Sequence, residues 1–222
     1  MPLFYLFLLA KLTFCHDKKP SVPASTFFQR GTLERNPYTR IGAITVPAGF
    51  TRVAGGSRSY AAWLRGLPLK KDKTVYLYKG FKKNNQAVQF AVLDISVGRK
   101  DLQQCADAVM RLRAEYLYAQ QRFGEIDFTD NNRTHYRLAA HAGRKAFDQY
   151  LEKNFSYCGT ASLSNQLLAV TDFRQVAAGD VLVKGGSPGH SVQVMDVAVN
   201  KEGKKIYLLA QDICRRRISM WC

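Results

Sequence analysis

An α+β domain, an antiparallel sheet with at least two helices packed on it, is predicted by three features of the sequence. Residues 179–211 read as strand, glycine-rich loop, strand, polar turn and strand. Residues 101–118 carry Leu102, Cys105, Val109, Leu112 and Tyr116 at helical spacing. Residues 143–154 turn Ala146, Phe147, Tyr150 and Leu151 inward on a second helix. A chain of 222 residues with 46% hydrophobic and 12% aromatic residues builds a real core, which excludes a disordered protein.

The chain divides as 1–15, 16–40, 41–211 and 212–222. Residues 1–14, MPLFYLFLLAKLTF, are apolar and too short for a comfortable membrane span. Polar HDKKP follows Cys15 at once. The segment resembles a bacterial lipoprotein signal, which implies export, lipidation at Cys15 and attachment to the membrane through that lipid, the alternative being a buried N-terminal strand or helix. Pro20, Pro23 and Pro37 among Ser, Thr, Lys and Arg make 16–40 a tether.

Within 41–211, residues 44–46 and 75–78 read as strands, with a helix between them at 60–64 that Gly66 and Pro68 stop. Residues 80–85 form a polar loop and 87–97 a more buried run. Asp101 can cap the long helix, with Asp107–Arg111 and Arg111–Glu115 as ion pairs on its outer face. Residues 123–133 are strand or loop, and Thr160 can cap a helix beginning at Ala161. In the last stretch, Val192, Val194, Val197 and Val199 alternate with polar neighbours, and Asp196 shifts their phase. Two antiparallel strands there bring Gln211 beside His190. A histidine and an amide on one sheet edge, next to a glycine-rich loop, form half of a candidate catalytic site.

The nucleophile that would complete it has two candidates. Cys158 needs less activation than a hydroxyl, whereas Ser162 stands on the first helical turn. Each has a structural alternative: Cys158 packing under the helix, Ser162 bonding at the helix start. Ser187 and Gly189 would shape a substrate rim. With no CxxC and no zinc spacing, no metal or cofactor is expected, and His135 and His141 receive no role.

The net charge of +16 suits a polyanionic partner. Nucleic acid, anionic lipid and an acidic wall polymer all fit that charge, and with no nucleic-acid motif present nucleic acid is not expected. The lysine runs at 70–71, 82–83 and 204–205 read as solvated loop charges.

Gly-Asp at 179–180, the glycine-rich loop, Gly-His at 189–190 and the strand ending at Gln211 resemble the second half of NlpC-type and CHAP-type cell-wall peptidases. The resemblance implies a papain-like fold in the C-terminal half, with His190 as general base and Gln211 orienting it. SYAAWLRGLPL at 59–69, AVLDISVGRKDLQQCADAVMRLRAEYLYAQ at 91–120 and YCGTASLSNQL at 157–167 resemble exported bacterial proteins grouped as domain-of-unknown-function family 4846. That resemblance implies an exported location and no reaction. Three functions follow as expectations: a cysteine- or serine-dependent amidase acting on wall peptide, a non-catalytic wall- or glycan-binding protein, and a structural lipoprotein.

The tail DICRRRISMWC differs in character from what precedes it. Codons can be chosen for it that, with one G restored after Gln211, encode Gly-Tyr-Met-Pro-Ala-Glu-Asp-Ile-His-Val, which resembles the family's continuation. Residues 212–222 therefore read as a frameshifted tail, leaving the edge near Gln211 unpaired.

Overall fold

The computed structural model describes residues 35–77, 80–84, 86, 89–97, 100 and 102–212, together with the backbone of two strands, Tyr5–Phe7 and Ser219–Trp221. It is an α+β fold in which a largely antiparallel sheet carries four helices. Cys15, Asp101, Cys214 and Cys222 lie outside the described residues.

The longest strand is β8 (His190–Asn200), and the sheet is arranged about it. On one side β7 (Val181–Lys184) pairs antiparallel, setting Lys184 opposite His190 and Val183 opposite Ser191. On the other, β9 (Lys205–Gln211) returns antiparallel after the turn at Asn200. Beyond it come β10 (Ser219–Trp221) and β3 (Ala91–Val92), so Leu209–Gln211 is a paired edge rather than the open one expected. β1 (Tyr5–Phe7) runs parallel to β7 and to β6 (Leu168–Ala169). β2 (Phe50–Arg52) pairs with the far end of β8.

The helices follow hydrophobic spacing, with caps that differ from those expected. α1 (Tyr60–Gly66) starts where the Ser59 hydroxyl accepts from the Ala62 N–H at 3.1 Å. α2 (Cys105–Ala119) is capped at Gln104, whose N–H donates to the Asp107 carboxylate at 2.8 Å. Asp107 and Arg111 are not an outer-face pair: both are buried, at 4% and 6% exposure. α2 runs through the middle of the domain, between the sheet and α3 (Arg144–Tyr157), so nearly its whole circumference is covered. The Arg111–Glu115 pair does form, at 3.7 Å. On α3, Phe147 and Leu151 are buried, but Ala146 faces solvent. α4 (Thr160–Gln166) packs on β4 (Asp127–Thr129) and β7. β4 pairs with β5 (His135–Arg137) in a separate hairpin.

Two expected strands are not found among the described residues. Ile41–Ala43 form a 3-10 turn that brings Ile41 and Ile44, both buried, to one side, and 44–46 form no strand. Residues 75–77 and 80–83 form a narrow loop joined by a bridge between Tyr76 and Lys82.

Candidate functional site

The hairpin of β8 and β9 determines the site. Gln193 stands opposite Ala210, so Gln211 falls on the same sheet face as Val192 and, one pleat further, His190. The two side chains meet: the imidazole Nε2 lies 2.6 Å from the Gln211 Oε1. An amide oxygen only accepts, so Nε2 carries the proton. In the neutral ring, Nδ1 is then the atom left to accept a proton or a ligand N–H. Both side chains are half-buried.

The loop before His190 is held against α4. The Thr160 hydroxyl donates to the Gly186 carbonyl at 3.0 Å. A Cβ on Gly185 would come within 2.6 Å of the Ser164 hydroxyl. One on Gly189 would overlap the Thr160 hydroxyl and the Gly186 carbonyl. Glycine at 185 and 189 is thus a demand of close packing between loop and helix. Ser187 is exposed, and its bond to Pro188 is cis. Ser187 and Gly189 lie in the loop that leads into His190. Thr160 went unread as a loop contact. The glycines opposite it were the available signal, since a loop stripped of side chains is one that something approaches closely.

The candidate nucleophiles are elsewhere engaged. Cys158 closes α3 and is buried at 7% exposure. Its thiol donates to the Asn154 Oδ1 at 3.2 Å. Burial, with the Asp130 and Asp107 carboxylates nearby, pushes it up to about 12. Ser162 is 1% exposed. Its hydroxyl accepts from the Gly159 N–H at 3.0 Å and donates to the Gly159 carbonyl at 3.1 Å. Gly159, not Thr160, is therefore the residue capping α4. Neither hydroxyl nor thiol is hydrogen-bonded to His190. Register gives the reason. Cys158 packs with Val181 and Val183 on the helix-bearing face, whereas His190 shares the opposite face with Lys184.

Cys105 and Cys158 are both buried. Among the described residues, no group of three His, Cys, Asp or Glu is placed to hold a metal ion. His135 is tied to Asp127 through Nδ1 at 2.9 Å, alongside Arg137. Among the described residues no helix is long and apolar enough to cross a membrane.

No curated protein and no solved structure matches the chain. The profile of one protein family does, over residues 41–141 and again over 129–214, which together span most of the sequence. The chain belongs to the family described as "Domain of unknown function (4846)".

Proposed function

We propose that this is an exported envelope protein whose His190–Gln211 pair binds cell-wall peptide or an anionic envelope polymer without cutting it. One observation carries the reading: the polar pair is assembled at 2.6 Å while Cys158 and Ser162 are both buried and bonded to their own helices. A thiol pushed up that far by burial stays protonated at neutral pH. The charge of +16 favours an acidic ligand over a neutral one.

The second reading is a papain-like amidase with His190 as base. The His190–Gln211 bond favours it, since a general base needs a partner that fixes its ring. One experiment separates the two. Purified cell wall is incubated with the protein and with His190→Ala, and both bound protein and released peptide are measured. Binding without release, weakened roughly 10-fold by His190→Ala, is the expected result. Release of peptide that stops in a well-folded His190→Ala, and in Cys158→Ala or Ser162→Ala, would establish the amidase instead.

Export and anchoring rest on residues 1–15. Incorporation of labelled fatty acid during expression is expected to require Cys15. Labelling and membrane fractionation that persist in Cys15→Ser would overturn the lipid anchor.

A further inference from the structure

A second surface is formed by residues 70–77 and 80–83. The segment KKDKTVYLYKGFKK carries six lysines against one acidic residue, Asp72. Asp72 is already engaged locally, accepting from the Thr74 hydroxyl at 2.6 Å and the Thr74 N–H at 2.9 Å.

The narrow loop has a fixed base. Val75 is buried at 2% exposure. The Gln86 side chain brackets it, accepting from its N–H at 3.0 Å and donating to its carbonyl at 2.9 Å. Lys83 N–H donates to the Val75 carbonyl at 2.9 Å, and Leu77 N–H to the Phe81 carbonyl at 2.7 Å. Gly80, at φ +84°, makes the turn, in a region that favours glycine. This framework presents Phe81 outward at 68% exposure, the highest of the large apolar side chains among the described residues.

A single exposed phenylalanine is ordinary. One held at the tip of a braced hairpin among lysines is the composition of an interfacial anchor. The ring suits the boundary between headgroups and acyl chains, and the ammonium groups suit anionic headgroups. A soluble polyanion would use the lysines and gain nothing from Phe81. We propose that this hairpin docks the domain on an anionic bilayer surface, with Phe81 entering the interface and Lys71, Lys73, Lys82 and Lys83 lying over the headgroups, while Lys70 pairs with Asp94 at 3.8 Å. The proposal is independent of what the His190–Gln211 pair binds.

The test is sedimentation of the full chain carrying Cys15→Ser, so that no lipid is attached, with vesicles of phosphatidylcholine alone or mixed with phosphatidylglycerol. Binding is expected only with the mixed vesicles. It should fall about 10-fold or more in Lys82→Glu/Lys83→Glu and at roughly 0.5 M salt. Phe81→Ala should lower it about 5-fold with an unchanged thermal melt. Tryptophan fluorescence of Phe81→Trp should shift to the blue on mixed vesicles only. Equal binding to neutral vesicles, or no binding at low salt, would overturn the proposal. So would Phe81→Ala binding as the parent does, or an unshifted Phe81→Trp spectrum. Those last two would assign the lysines to a soluble acidic polymer.

Discussion

Asp107→Asn is expected to stabilise the domain, and to do so most at high pH. Asp107 is 4% exposed on α2, and its Oδ1 has no hydrogen-bond partner. Burial, reinforced by the neighbouring Asp212 carboxylate, raises its carboxyl to about 8, against a partial offset from the Gln104 N–H and Arg111. The folded value thus lies far above the unfolded one of 3.8. Folding favours the protonated acid, so its contribution is complete below the unfolded value. It is lost progressively as pH rises toward the folded value. Between about pH 5 and pH 8 the loss amounts to at most roughly 4 kcal/mol, from about 1.4 kcal/mol per pH unit. Asparagine keeps the oxygen that caps α2 and removes the titration. The urea midpoint of the parent should therefore fall as pH rises across this window, and that of the variant should fall less, the remainder coming from Asp180, whose carboxyl burial also raises. Asp72, Glu125, Asp130 and Asp172 cannot mimic the effect. Their carboxyls are lowered by local hydrogen bonds, so they titrate below this window and in the opposite sense. A parent whose stability is level between about pH 5 and pH 8 would show that Asp107 is not buried as described.

The contrast between Asp107 and His190 shows what could be read from sequence. His190 and Gln211 were placed together correctly because a hairpin is a local object. The period of its strands, the polar turn between them and the phase shift at Asp196 are all written within 190–211, even though arginines from elsewhere hold Asp196. Asp107 was assigned to the outside of α2 because helical spacing alone gives every helix a wet face. What removes that face is the arrival of α3 and the sheet from far along the sequence, and no pattern inside 101–118 records it. Cys158 and Ser162 failed to join His190 for a similar reason. Their neighbourhood at a helix start was legible. The sheet face beneath them, and the bonds to Asn154 and Gly159 that occupy them, depend on packing. The strand expected at 44–46 does not form: the turn at Ile41–Ala43 buries Ile41 and Ile44 together, and β-propensity yields to such context.

Asp196→Ala is expected to lower stability by roughly 3 kcal/mol, on the order of 10 °C in melting temperature. Asp196 is 5% exposed and accepts from two guanidiniums, Arg52 Nε at 2.6 Å and Arg65 Nε at 2.8 Å. Those arginines also donate to the carbonyls of Ile44 and Val53, so one carboxylate ties β2, α1 and the turn at 41–44 to β8. Removing it leaves two half-covered cations facing each other. Their residual contact with water places the loss at the low end of the range for buried pairs. Asp196→Asn should lose less, because its carbonyl oxygen can still accept from one arginine. The consequence reaches the site. Asp196 follows the bulge at Met195, where the pairing of β8 with β9 slips by one residue. Downstream of the bulge Asp196 stands opposite Leu208, and upstream Gln193 stands opposite Ala210. Carried through without the bulge, the downstream register would set Gln193 opposite Gln211, and Gln211 would turn to the face away from His190. The phase shift visible at Asp196 in the sequence is therefore what lets the imidazole and the amide meet. In Asp196→Ala the ligand affinity of the His190–Gln211 pair should fall along with stability, at temperatures where the variant remains folded. A variant with a lowered melting temperature and unchanged affinity would show that the bulge holds its register without the arginine pair.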